Sequence, residues 1–291
     1  MPAGGRPTVR SRRLGTALRQ YRLAAKLDQP QAAEIIASSQ ARISRVESGH
    51  ATPRVIEVRL LLEEYGVKDL EVRAKLEELA KYPKKRGWWL EHAAHLRPDY
   101  LDHIALEDDA SHIWQWHPVL VPGLLQSSAY AGAVIAEGPS PLSSEYVTRL
   151  AKVRAQRQGK VTEGGAPYHV VIWEAVVRHP LVNDVEIHRG QLSALLEAGK
   201  RTNITLQILP FSAGTLVAAG TPAFVAFGFD SEPTFEAVTM DDLMSTSVLE
   251  SPQDLAVYAS AYDRLRSSAL TSEESAKLIR SALQAIEKGE L

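Results

Sequence analysis

Apolar residues recur at helical spacing from residue 12 to residue 81, and the period shortens only after residue 167. From Arg12 to Lys26, the residues Leu14, Ala17, Leu18, Tyr21, Leu23, Ala24 and Ala25 form a helical stripe. In "LDQPQAAEIIA", Asp28 is a good N-cap, Pro30 falls in the first turn where its missing N–H costs nothing, and Ala33, Ile36 and Ala37 face inward. "SSQARISRVESG" follows, capped by Ser39 and stopped by Gly49. "HATPRVIEVRLLLEEYGV" starts a helix near Pro53, with Val55, Val58, Leu61 and Leu62 as its buried positions and Gly66 at its end. A fifth helix in "DLEVRAKLEELAKY" ends near Tyr82, and "PKKRG" then joins Pro, Gly and a charge cluster, which reads as a hinge.

Beyond the hinge, "LDHIALEDDASHIWQW" reads as helix, and "LVPGLLQSSAYAGAVIAEG" as a turn at Pro122-Gly123 followed by a helix. "GPSPLSS" reads as a loop and "SSEYVTRLAKVRAQRQGK" as a charged helix. After "VTEGGAP", the runs "YHVVIWEAV", "ITLQILPF", "PAFVAFGF" and "TFEAVTM" are β-branched and aromatic between Gly, Pro and Asp, as strands are; "STSVLE" is a candidate short strand. A helix lies between the first two, about 185–198, and helices close the chain over 252–269 and 271–286, where "TSEE" has the form of a capping box. The predicted organisation is a flexible basic arm (1–10), a helical domain (11–68), a connecting helix and hinge (69–87) and an α+β domain with a mainly antiparallel sheet (88–288).

Composition changes this picture in two ways. The 291 residues include no cysteine, which excludes disulfides, thiolate metal sites and Cys nucleophiles. Charge is uneven: residues 1–66 hold 11 Lys+Arg against 6 Asp+Glu, a net of +5, while the other 225 hold 22 against 29, a net of −7. A polyanion partner is therefore expected for the first part only. No apolar run approaches the roughly 18 residues of a membrane span. "MPAGGRPTVRSRR" lacks the apolar core of a signal peptide, so a cytoplasmic location and no membrane partner are expected.

The two capped segments, Asp28–Ala37 and Ser39–Ser48 with a turn through Ser38, have the lengths of a helix-turn-helix. In that motif the N-terminal residues of the second helix touch base edges in the major groove. Gln40, Arg42, Ser44 and Arg45 fall on its polar side, with Ala41 a further candidate DNA contact; Gln and Arg are the types that pair with adenine and guanine edges. Arg42, Arg45 and the basic arm are candidates to neutralise phosphates, and Gln29 to fix backbone register. The competing reading is a merely solvated face.

"LDQPQAAEIIASSQARISRVESGHATP" resembles the Xre, or lambda-repressor-like, helix-turn-helix family over about residues 12–66. The pattern is carried by Leu27, Gln29, Ala33, Glu34, Ser39, Gln40, Ile43, Ser44, Arg45, Glu47, Gly49, Thr52 and Pro53, with Asp28, Pro30 and Ala37 departing from it; Ala37 replaces the usual turn Gly. The resemblance implies that Arg22 pairs with Glu47 as a structural ion pair. Behind it, "WWLEH", "LEDDA", "LVPGLLQSSAYA", "RAQRQ", "WEAVVRHP", "QLSALLEAG", "ITLQILPFSAG", "FVAFGF", "YDRLRSSAL" and "SEESAKLI" resemble, in order, the domain that follows such modules in WhiJ-like developmental regulators of actinobacteria. That resemblance implies a sensing or partner-binding domain, often beside a small partner protein, with no catalytic chemistry to carry over.

Other clusters carry less. His92 and His95, with Glu107, His112 and His117, have spacings that suit metal ligands but equally suit structural or surface histidines, and no metal is expected. Trp88, Trp89, Trp114 and Trp116 either line an apolar ligand pocket or build a core between domains. Glu107-Asp108-Asp109 reads as a solvated helix face, and Ser212 in "PFSAGT" as part of a Gly turn without the flanks of a nucleophile elbow. The expectation is thus a DNA-binding transcription regulator, not an enzyme and without cofactor. It is expected to bind a two-fold operator in double-stranded DNA as a homodimer, and to respond to a small-molecule effector or small protein partner. The alternative is an antitoxin-like partner-binding protein that regulates its own operon.

Overall fold

The computed structural model describes residues 7–81, 87–138, 142–180, 184–214, 218, 220–229, 232–242 and 245–289. The hinge "PKKRG" lies mostly outside the described residues, Gly87 being its only described member. The chain divides into two compact units, Met1–Trp88 and Trp89–Leu291.

In the first unit five helices surround one core: α1 (Val9–Ala24), α2 (Gln29–Ile35), α3 (Gln40–Glu47), α4 (Val55–Glu64) and α5 (Leu70–Lys81). Leu14, Leu18, Ala33, Ile43, Val46, Val58, Leu61 and Leu62 meet there with Leu76, Leu79 and Ala80. The helix expected to be a connector therefore completes this core. Residues 1–6 of the expected basic arm lie outside the described residues, and its end is helix instead: α1 begins at Val9 behind the cap Thr8, and Val9 and Arg10 are buried. Gly15 sets the α1–α3 spacing, since a Cβ there would lie 2.3 Å from the carbonyl oxygen of Val46. The turn from α2 to α3 is a Schellman closure, with the N–H of Ser38 bonded to Ala33 O (2.9 Å) and that of Ala37 to Glu34 O (3.0 Å). It puts Ala37 at φ 48°, where glycine is the easier residue, so Ala37 exposes its methyl at this turn instead of facing inward.

The second unit is α+β. Its six-stranded sheet has the order β3-β2-β1-β4-β5-β6, with β1 (His112–His117), β2 (Tyr168–Trp173), β3 (Ile204–Leu209), β4 (Phe224–Gly228), β5 (Ala237–Asp241) and β6 (Thr246–Leu249). The sheet is mixed. β1–β2 and β2–β3 are parallel, while β1–β4, β4–β5 and β5–β6 are antiparallel. The cause lies in the connections: α7 (Ser128–Ala136) and α8 (Ser144–Gln158) separate β1 from β2, and α9 (Glu174–Arg178) and α10 (Val185–Ala198) separate β2 from β3. Helical crossovers return the chain to the same end of the sheet, as parallel pairing requires.

Two local readings change with this. "LDHIALEDDASHIWQW" is half helix, α6 (Pro98–Asp109), and half the central strand β1. "YHVVIWEAV" stops being strand at Trp173, where α9 begins. The closing helices are α11 (Pro252–Ser268) and α12 (Ser272–Glu287), the latter with a complete Thr271–Glu274 capping box. Tyr262 and Leu265 of α11 pack on the sheet face that carries Trp114, Trp116, Val171, Phe224 and Val238. The opposite face carries Gln115, Tyr168 and Thr239 and meets α6, where His103 bonds Thr239.

Candidate nucleic-acid interface

Ser39 caps α3 by accepting from the N–H of Arg42, so the helix starts at Gln40. Ile43, Val46 and Glu47 turn inward, while Gln40, Ala41, Ser44, Arg45 and Ser48 are exposed. At about 100° per residue these five lie within one continuous sector of roughly 140°. One face of the helix thus carries the expected base-reading residue types together. Arg45 makes no side-chain hydrogen bond or ion pair among the described residues.

Arg42 stands apart. It is half-buried and donates Nη2 to Glu57 Oε2 at 2.9 Å, so this expected phosphate contact ties α3 to α4. Glu57 also accepts from the N–H (2.7 Å) and guanidinium of Arg54. Burial pushes the Glu57 carboxyl up, but these bonds from Arg54 and Arg42 outweigh it and hold it below the usual carboxylate range.

Behind α3, Arg22 and Glu47 form a buried bidentate pair, Nε to Oε1 at 2.6 Å and Nη2 to Oε2 at 2.9 Å. Arg22 Nη1 also donates to Leu27 O (2.8 Å), so one guanidinium fastens α1, the α1–α2 turn and the end of α3. The Glu47 hydrogen bond, partly offset by burial, raises the Arg22 pKa further. Gln29 Nε2 donates to Glu47 Oε2 at 3.0 Å, which ties its amide nitrogen to this network beside a cleft that Gln29 helps to line. That cleft, about 230 Å³, is lined by Arg19, Gln29, Ser44 and Ser48 over the Arg22–Glu47 pair. Arg19 was not singled out from the sequence. Its i, i+3 spacing to Arg22 on α1 was the available signal, and its side chain is exposed with no partner among the described residues.

The other candidate residues are in the second unit, apart from Trp88 at the end of the first. Trp114 and Trp116 are buried in the sheet core, Trp116 donating Nε1–H to Thr221 O at 2.9 Å and Trp114 stacking between His112 and His169. Trp88 and Trp89 begin a 3-10 turn at the unit boundary. His92 bonds Gln156, His95 is exposed, and His117 Nδ1 accepts from the N–H groups of Val119 and Leu120. Burial lowers the His117 pKa to about 4. Among the described residues no three His, Asp or Glu side chains are grouped to hold a metal ion.

Glu107 is not part of a solvated acidic face. It is 2% exposed and accepts from Arg157 Nε (2.8 Å) and Nη2 (2.7 Å). Arg157 also donates to Tyr100 OH at 2.6 Å and faces His103 Nε2 at 2.9 Å. His103 Nε2 must then be the acceptor, which leaves the ring proton on Nδ1 for Thr239 Oγ1 at 2.9 Å. Burial pushes the Glu107 carboxyl up, but Arg157 outweighs it and holds the pKa down at about 2. Ser212 lies in a 3-10 turn before Gly214, which has φ 90°.

Among the described residues no helix is long and apolar enough to cross a membrane. Comparison with protein families matches residues 13–76 to "Helix-turn-helix domain" and residues 100–281 to "Domain of unknown function (DUF5753)". Comparisons with curated proteins and with solved structures gave no match. A helix-turn-helix module indicates a DNA-binding regulator. The second match spans more than half of the 291 residues, and the chain belongs to the DUF5753 family.

Proposed function

We propose that this protein is a sequence-specific transcription regulator of the Xre type. Its first unit reads an operator through α3, and its second, akin to the WhiJ-like regulators, senses a small molecule or a protein partner. It acts by binding and not by catalysis. The observation that carries the reading is the exposed Gln40, Ala41, Ser44, Arg45 face on a helix fixed from behind by Arg22–Glu47 and from the side by Arg42–Glu57. Base readout needs side chains held in register, and a recognition helix tied to three neighbours meets that need.

One such helix reads only a few base pairs, far short of the roughly 10³–10⁷ preference over random DNA that operators require. Two copies about a two-fold axis supply it, with half-site centres about one helical turn apart or a multiple of that. Selection of genomic fragments by the full-length protein tests this. A symmetric motif with that spacing is expected. Failure to enrich any motif, or equal binding by residues 89–291 alone, refutes the reading.

A further inference from the structure

A second cleft, about 340 Å³, opens between the end of α10, β3 and the first half of α12. Its floor rests on Leu195, Leu206 and Ile279, all at most 4% exposed, and half-buried Leu196 and Ala276 supply its accessible apolar surface. Its walls are held apart by small residues, Gly199 on one side and Ala276 on the other. Gly199 has φ −67° and ψ −6°, an ordinary helical conformation, and a Cβ there would meet nothing closer than 3.4 Å. The backbone does not require glycine at this position; the missing side chain leaves the cleft open.

The mouth carries Lys200 and Arg280. Lys200 pairs with Glu197 at 2.6 Å, whereas Arg280 makes no hydrogen bond or ion pair among the described residues. The nearby carboxylate Glu273 is taken by Lys277 at 2.8 Å. An apolar floor under a guanidinium that has no direct partner, only the longer-range field of Glu273, selects for an amphipathic anion. The volume is at the small end of ligand sites, about 300–1,000 Å³, which favours a small molecule over a peptide.

We infer that this cleft binds a small organic acid, its apolar body against Leu196 and Ala276 and its carboxylate at Arg280. The inference deepens the sensing half of the reading above and rests on it for any regulatory consequence, although binding itself is measured without DNA.

The test is calorimetric titration of the full-length protein with octanoate and with 3-phenylpropionate, using octanol as the uncharged control. Saturable binding of at least one acid is expected, with octanol and the Arg280→Gln variant at least tenfold weaker. Ala276→Trp should abolish binding by filling the cleft, and Gly199→Leu should do the same from the opposite wall, with circular dichroism confirming that each is folded. No saturable binding of either acid, equal binding of octanol, or unchanged binding by both filled variants overturns the site. An acid that binds through Arg280 yet leaves operator affinity unchanged upholds the site and removes its sensing role.

Discussion

Replacing Arg22 by alanine probes how the recognition helix is held. Both side chains of the Arg22–Glu47 pair are nearly closed to solvent, at 7% and 5% exposure. With alanine at 22, the Glu47 carboxylate keeps only the Gln29 amide, and Leu27 O loses its donor. Removing one partner of a buried pair costs about 3–5 kcal/mol, because the other charge stays buried. The orphaned carbonyl adds on the order of 1 kcal/mol. A domain of this size is stable by about 5–15 kcal/mol, so the variant should sit near its unfolding threshold. Urea unfolding separates the units, because four of the five tryptophans lie in the second unit and Trp88 is the last residue of the first. Fluorescence is then dominated by the second unit, while far-UV circular dichroism follows both. The expected result is an early helical transition with an unmoved fluorescence midpoint. Arg22→Met combined with Glu47→Leu removes both charges and should recover most of the loss. The reasoning is refuted if Arg22→Ala shifts the helical transition by less than about 1 kcal/mol, or if the double variant is no more stable than the single.

Gln40→Ala and Arg45→Ala should each cost roughly 1–3 kcal/mol on the selected operator and little on random DNA; equal losses on both would make these residues phosphate contacts. Ala37→Gly should stabilise the first unit by up to about 1 kcal/mol: the left-handed position costs alanine roughly 1–2 kcal/mol, and glycine's unfolded-state entropy returns about half. A lower urea midpoint would contradict this. The Glu107 carboxyl lies at about 2 when folded against 4.5 ordinarily, so its stabilisation is complete above pH 4.5 and fades as pH falls toward 2, by roughly 3 kcal/mol in all. Glu107→Gln should flatten that part of the stability–pH curve, and parallel curves for variant and parent would count against the pair.

Local chemistry was legible in the sequence. Asp28, Ser39 and Thr271 each cap a helix through a bond to a residue three positions on, and such signals sit within one short window. The strand β1 was hidden because four of its six residues are buried on both faces, so "HIWQWH" lacks the alternation that marks a half-buried strand. Its parallel partner β2 lies some fifty residues on, past two helices, and pairing over that distance leaves no local mark. The same distance concealed the polar contacts. Glu107 finds Arg157 fifty positions away and Arg42 finds Glu57 fifteen away, so neither carboxylate could be told from a solvated one by spacing alone.

Those long-range pairs also change what the charge imbalance means for DNA. Residues 1–66 carry a net of +5, which on its face predicts a steep salt dependence. Yet Arg22 is taken by Glu47, Arg42 and Arg54 by Glu57, and Arg59 by Glu77. Arg19 lines the cleft beside α3, Arg45 stands on α3 and Lys26 lies in the α1–α2 turn, and none of these three side chains has a partner among the described residues. Each phosphate contact contributes about −0.9 to the slope of log affinity against log salt, so three contacts give roughly −2.7 per subunit and about −5 for two subunits on one operator. Arg19→Ala should then lower the slope by about one per subunit. Arg42→Ala should lower it by clearly less, since its charge is already balanced, and should instead loosen α3 against α4. An equal loss of slope in both variants would mean that the Arg42–Glu57 pair opens when DNA binds, and that placed charge is a poorer guide here than net charge.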